Sequence, residues 1–392
     1  MENLRRISGF CHYASVLSVL LALSPPLSPA AATPRHDAGI SATSRHDAGI
    51  SATSPFEAMY AWGDSLTDTG NLLLYQRSIN VEAPAGHLPF GQTFFHYPTG
   101  RFSDGRLLVD FLAQQVNAPS FLLPYLGLNG SQTNSKAPFL VNFAVGGATA
   151  LNVDYLKANY NISDVIPYPL EMQIQWFSTF FISKEKEALS KALIYFGEIG
   201  VNDYNYALSN GFSTNDIITT MVPALMKVIQ NSLEFLVNSG AKYLVIEGGY
   251  PIGCTPLYTR FLYTNATTDK YGCVEELQKL NEVHDKLLKE IVYNLTTKYS
   301  QDVHFIFFDQ LRAYIELLKY PSHYGFTNTV DPCFDAFHLL NHTTMEACSS
   351  PSTYLSWDGI HFTEAAQSAL FNLFCTRQFV TPYPNFLKSK SF

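Results

Sequence analysis

Met59-Tyr60-Ala61-Trp62-Gly63-Asp64-Ser65-Leu66-Thr67-Asp68-Thr69-Gly70-Asn71 is a short apolar run that stops abruptly in a turn of glycine, aspartate and serine. Short runs with no polar alternation are what a strand buried on both faces of a parallel sheet requires. The pattern returns downstream. Leu140 to Ala144 leads into Val145-Gly146-Gly147-Ala148-Thr149, and Ala192 to Phe196 into Gly197-Glu198-Ile199-Gly200-Val201-Asn202-Asp203. Tyr243 to Glu247 leads into Gly248-Gly249-Tyr250-Pro251, and Val303 to Phe308 supplies a fifth strand. Helical patterns cover Leu107 to Val116, Leu170 to Ile182, Asp216 to Asn238, Cys273 to Tyr299 and Glu364 to Phe374. Short strands alternating with helices predict an α/β fold, its mostly parallel sheet covered on both faces and joined by right-handed crossovers.

In such sheets, sites form beyond the carboxyl ends of the strands. The turns after the first three strands therefore bring Ser65, the Gly146-Gly147 pair and Asn202 to one edge. Trp357-Asp358-Gly359-Ile360-His361 lies just before the last helix. Acyl transfer needs a hydroxyl nucleophile, a base, a group that orients the base, and donors for the oxyanion. Ser65 can be the nucleophile, His361 the base, and Asp358 the acceptor for the second imidazole nitrogen. Gly147 leaves its N–H open to close approach because it has no Cβ. Asn202 adds a side-chain amide, and the Ser65 N–H a third donor. One missing donor of this kind costs roughly 3–4 kcal/mol of transition-state stabilisation. Each residue alone is ordinary turn or cap chemistry; their succession after consecutive strands points to catalysis. His284 and His304 are expected on element surfaces. There is no Cys-x-x-Cys pair, and His36 and His46 have no fixed geometry, so neither a metal nor an organic cofactor is expected.

The chain has 392 residues, 47% of them hydrophobic and 15% charged, with a net charge of −8. That excludes a disordered chain. The acidic balance, without a Lys/Arg stripe, argues against a nucleic-acid partner. Residues 1–32 read as an export signal: Arg5 and Arg6, the apolar run Tyr13 to Leu23, then Ala30-Ala31-Ala32. Residues 33–55 are a flexible leader in which the ten residues Arg35 to Ser44 recur as Arg45 to Ser54. No composition break divides residues 56–380, and residues 56–392 are read as a single domain without a transmembrane anchor. Cys254, Cys273, Cys333, Cys348 and Cys375 leave room for two disulfides and one thiol. Nearest-neighbour pairing suggests 254–273 and 333–348, but the sequence does not fix connectivity. Asn-x-Ser/Thr sequons occur at Asn129, Asn161, Asn265, Asn294 and Asn341. The expected location is the secretory pathway, ending outside the cell, in the wall or in a vacuole.

At these residues the sequence resembles the plant GDSL lipase/esterase family, a branch of the SGNH hydrolases. The resemblance rests on GDSLTDTGN at 63–71, PTGRFSDGRLLVDFLA at 98–113, NFAVGGATA at 142–150, GEIGVNDYNYA at 197–207, PIGC at 251–254 and WDGIHFTEAA at 357–366. It implies a flavodoxin-like three-layer α/β/α sandwich around a five-stranded sheet. It also implies Ser65, Asp358 and His361 as the triad, with Gly147 and Asn202 as oxyanion donors. Trp62 stands where the family more often has Phe or Leu, and 331–348 diverges from the family's usual loop. No Gly-x-Ser-x-Gly occurs, which disfavours an α/β-hydrolase elbow. The expected activity is hydrolysis of a small carboxylic ester, an acyl or acetyl ester of a plant specialised metabolite or a lipid. The alternative is an acyltransferase that passes the same acyl group to an alcohol. Segment 84–102, rich in Pro, Phe, His and Tyr, is expected to shape the substrate pocket.

Overall fold

The computed structural model describes residues 54–128, 140–181, 186–299, 302–334 and 346–387. The predicted export signal, the leader as far as residue 53, the sequons Asn129 and Asn341, and much of the divergent 331–348 stretch lie outside these residues.

The five central strands follow the apolar runs, and four shorter or more polar ones join them. They are β1 (Ala58–Trp62), β2 (Leu123–Pro124), β3 (Leu140–Asn142), β4 (Ala192–Phe196), β5 (Tyr243–Glu247), β6 (His304–Phe308), β7 (Asn328–Pro332), β8 (Tyr354–Ser356) and β9 (Val380–Thr381). Seven of them form one sheet in the order β2-β3-β1-β4-β5-β6-β9. All neighbours are parallel except β6 and β9. The five predicted strands are its centre, and two-residue strands extend it at each edge. The order runs outward from β1 to β3 on one side and to β4, β5 and β6 on the other. The direction of winding therefore reverses at β1, where ligand crevices open in sheets of this kind.

The principal helices are α1 (Asn71–Ser78), α2 (Leu108–Gln115), α3 (Val153–Tyr160), α4 (Leu170–Phe181), α5 (Val201–Ser209), α6 (Val222–Asn238), α7 (Glu275–Lys298), α8 (Gln310–Lys319) and α9 (Glu364–Phe374). They cover both faces of the sheet. Successive strand residues point to opposite sides. Phe307 on β6 lies against Lys289 of α7, whereas Phe308 meets Phe374 of α9 edge-on at 5.2 Å. Tyr60 and Trp62, both fully buried, point to the α4 side and pack on Phe177 at 5.8 and 5.2 Å. Trp62 also stacks on Phe143 at 5.3 Å. Each such aromatic pair contributes about 0.5–1.5 kcal/mol beyond the area it buries, which offsets the cost of the Trp62 indole N–H, buried without a partner beneath the Ser65 turn.

Two disulfides, Cys254–Cys273 and Cys333–Cys348, match the nearest-neighbour pairing. Cys375 is buried and belongs to neither. No helix among the described residues is long and apolar enough to cross a membrane. His304 is exposed, but His284 is buried at 2% exposure, contrary to the surface expectation. Its Nδ1 lies 2.8 Å from the Tyr204 hydroxyl, so a polar partner inside the protein draws it off the solvent face of α7.

Candidate active site

The Ser65 turn is held by its own side chains. Asp64 Oδ1 accepts the Leu66 N–H at 2.9 Å, which folds the chain sharply at Ser65. Gly63 leaves β1 at φ 143°, a conformation that side chains disfavour. Gln173 of α4 fixes it by bonding its N–H at 3.1 Å and its C=O at 2.9 Å. Asp68 then caps α1, accepting the N–H groups of Gly70, Asn71 and Leu72 at 2.7, 2.6 and 2.9 Å. Its Oδ2 also takes the Gly146 N–H at 2.8 Å, which ties the turn after β3 to the turn after β1. Asn71 reinforces the link by donating to the carbonyls of Asn142 and Ala144, both at 2.8 Å.

The turn before α9 is set by a division of labour. Thr363 caps the helix through the Ala366 N–H at 3.1 Å, which leaves Asp358 for the turn itself. Asp358 Oδ1 accepts the N–H groups of Ile360 and His361 at 3.0 and 2.7 Å. Its Oδ2 faces His361 Nδ1 at 2.6 Å. His361 Nε2 lies 2.7 Å from Ser65 Oγ, across 296 positions of sequence. An ionised carboxylate only accepts, so Nδ1 carries the imidazole proton and Nε2 is the acceptor for the serine hydroxyl. Burial alone pushes the Asp358 carboxyl up, but the His361 charge and the three hydrogen bonds outweigh it and hold it below the usual carboxylate range. Asp358, Ser65 and His361 are 5%, 8% and 7% exposed, so the chain of bonds is sheltered from solvent. The Phe102 ring covers the imidazole at 4.8 Å, which places one residue of segment 84–102 at the site. Leu257 N–H to Gly359 C=O at 2.9 Å and Tyr250 Oη–H to Ile360 C=O hold the turn from the β5 side.

Gly147 adopts φ +76°, in the left-handed region. No acceptor within the described residues pairs with its N–H or with that of Ser65. Asn202 Nδ2 donates to Asp64 Oδ2 at 2.9 Å and to the Ala148 C=O at 3.0 Å. Its amide thus bridges the residue before Ser65 and the residue after Gly147. The structure therefore brings all five predicted residues together at the β1 switch point. A hydroxyl so placed can pass its proton to the imidazole, with open donors beside it for developing negative charge. A groove of about 810 Å³ between α7 and α8, lined by Asp285, Lys289, Tyr293 and Arg312 among others, contains none of the five. Among the described residues, no three His, Cys, Asp or Glu side chains are placed so that they could hold a metal ion.

Sequence reasoning missed the supporting residues Asp64, Asp68, Gln173 and Tyr250. A polar side chain beside glycine in a turn signals Asp64 and Asp68. Nothing local signals Gln173, whose role depends on a partner 110 positions away.

A doubly wound, mostly parallel sheet with this site at its switch point is the architecture of the SGNH hydrolases. The GDSL-like lipase/acylhydrolase family model matches residues 59–374, and the chain belongs to that family. It is 36% identical to acetylajmalan esterase 2 of Rauvolfia serpentina over 327 residues, 80% of this chain and 87% of that one. It is 34% identical to a GDSL esterase/lipase of Arabidopsis thaliana over 345 residues, 84% and 88% of the two chains. It is 33% identical to sinapine esterase of Brassica napus over 346 residues, 83% and 87%. The protein is thus a carboxylic ester hydrolase of the GDSL kind.

Proposed function

We propose that Ser65, His361 and Asp358 hydrolyse a small ester through an acyl-enzyme, with the Ser65 and Gly147 N–H groups as open oxyanion donors and the Asn202 amide as a third, through the hydrogen it releases from the Ala148 C=O. The observation that carries this is the unbroken chain Ser65 Oγ, His361 Nε2, His361 Nδ1 and Asp358 Oδ2, with links of 2.7 and 2.6 Å. Ser65 Oγ attacks the acyl carbon while its proton moves to Nε2. The tetrahedral oxyanion forms against the open donors. It collapses as the alcohol departs with the proton from Nε2, leaving the acyl group on Ser65. Water, deprotonated by Nε2, then adds to the acyl carbon. Collapse returns the proton to Ser65 Oγ and releases the acid. Asp358 keeps Nδ1 protonated throughout and stabilises the imidazolium.

The substrate is read as a small acetyl or acyl ester of a plant specialised metabolite. The named activities of the acetylajmalan and sinapine esterases support that class. Entry into the secretory pathway is proposed on the predicted export signal and the two disulfides. The test is a Ser65→Ala variant assayed on p-nitrophenyl acetate. Turnover falls by several orders of magnitude, to the residual rate that the oxyanion donors alone sustain, with an unchanged melting temperature; full retention removes Ser65 from its role. Product analysis with added alcohols separates free acid from a transferred acyl group.

A further inference from the structure

Below the turn that carries Asn202, three carboxyl groups meet. Asp64, Glu198 and Glu247 are 1%, 2% and 3% exposed and lie at the carboxyl ends of β1, β4 and β5. Glu247 Oε2 accepts the Tyr195 hydroxyl at 2.5 Å and the Glu198 N–H at 3.3 Å. Glu198 Oε1 accepts the Val201 N–H at 3.1 Å, in the first turn of α5, one residue before Asn202. Glu198 Oε2 is buried, and no donor is turned toward it. As a carboxylate oxygen it would be a buried charge without compensation, which is costly. As a carboxylic acid O–H it needs only an acceptor, and the neighbouring Asp64 carboxyl, whose charge bears on Glu198, can supply one. The backbones are joined too, with Asp64 N–H donating to the Glu198 C=O at 3.2 Å.

The asymmetry of the pair decides which group keeps the proton. Asp64 accepts the Leu66 N–H and the Asn202 amide, both at 2.9 Å, and both favour its charged form. Glu198 receives one N–H and faces the Asp64 charge. Burial, with that charge beside it, holds the Glu198 carboxyl well above the usual range. The other titratable groups facing the pair are Glu247 on β5, Asp203 and Tyr204 on α5, Tyr250 after β5, and His361.

We propose that Glu198, as a neutral carboxylic acid, is a positioning residue for ester hydrolysis: its O–H donates to Asp64, and the Asp64 carboxylate aims the Asn202 amide into the oxyanion hole. Asp64 holds one amide hydrogen, and the other, which rests on the Ala148 C=O at 3.0 Å in the free enzyme, is the one that turns to the oxyanion. This inference rests on the triad and donors proposed above.

The test compares wild type with Glu198→Gln and Glu198→Ala on p-nitrophenyl acetate, with melting temperatures measured in parallel. Gln keeps an oxygen for Val201 and an N–H donor for Asp64, so its kcat stays within about threefold of wild type. Ala frees Asp64 to swing and lowers kcat about 10- to 100-fold at little-changed KM, part of the roughly 10²–10³ that a lost oxyanion donor costs. An infrared difference spectrum, wild type minus Glu198→Gln at neutral pH, shows the C=O band of a protonated carboxylic acid. A Gln variant as impaired as Ala, an Ala variant with wild-type kcat, or absence of that band overturns the proposal. If Ala does not fold, Gln and the infrared band still decide. Wild type that neither turns over esters nor labels at Ser65 refutes the esterase reading instead, and the infrared band tests the Glu198 proton regardless.

Discussion

Replacing Asp358 by Asn separates the orientation of His361 from the folding of its turn. The two backbone N–H groups of Ile360 and His361 both bond Oδ1, at 3.0 and 2.7 Å, and an asparagine oxygen in that place accepts them as well. Only Oδ2 changes, and it is the atom facing His361 Nδ1 at 2.6 Å. An amide N–H there demands an acceptor, so the imidazole shifts its proton from Nδ1 to Nε2. Nε2 then donates toward Ser65 instead of accepting from it, and the hydroxyl loses its base. A wrong tautomer of this kind costs about 10⁴ in kcat in serine proteases, equivalent to about 5.5 kcal/mol at 1.36 kcal/mol per decade. The same loss is expected here with KM within about twofold, since the change acts on the transition state rather than on ground-state binding. Steady-state turnover of p-nitrophenyl acetate measures it, and a melting temperature close to wild type confirms that the turn survives. An Asp358→Asn variant that keeps kcat within tenfold refutes the reasoning, because Asp358 would then not set the tautomer.

Three further outcomes are expected. Asn202→Ala lowers kcat by about 10²–10³ while Ser65 still reacts with a phosphonate, because a donor and not the nucleophile is lost; unchanged kcat in steady-state assays removes Asn202 from the oxyanion hole. Arg101 forms a two-pronged pair with Asp110, both bonds at 2.8 Å and both side chains buried, so Arg101→Met leaves an uncompensated charge and destabilises by about 3–5 kcal/mol in urea unfolding. Burial raises Glu247 from 4.5 to about 8, and Asp203 and Asp285 from 3.8 to about 7. Folded values above unfolded ones mean that this stability is complete below the ordinary values and is lost as pH rises through the raised ones. The melting temperature therefore falls between about pH 5 and about pH 8, and Glu247→Gln flattens the fall; a melting temperature that climbs across that range contradicts the burial argument.

The central strands were legible because each is a continuous apolar run stopped by glycine, which has few other readings. The edge strands β2 and β9 have two residues each, too few to leave a pattern. Helices α1 and α5 escaped notice for a different reason. Neither buries a simple apolar stripe. Asn71 and Gln76 of α1 are buried alongside Leu72 and Leu73. In α5, Asp203 points inward to accept the Ala150 and Leu151 N–H groups at 2.8 and 3.0 Å, and Asn205 accepts the Tyr258 hydroxyl at 2.6 Å. Buried polar residues that satisfy loop backbones erase the hydrophobic period that marks a helix. His284 was misplaced for the same reason. The five candidate residues were legible because each sits in a turn, after a strand or before the last helix, where its side chain or backbone N–H has a chemical use. The carboxyl network was not, since it joins β1, β4 and β5 through contacts 49 to 138 positions apart.

The central claim is that Ser65 is the atom that becomes acylated. Treating the protein with an alkyl fluorophosphonate, then measuring intact mass and mapping the labelled peptide, tests it most directly. The account predicts a single adduct, on Ser65, with ester turnover lost in proportion to labelling. An adduct on another serine, or full turnover by protein labelled at Ser65, contradicts it.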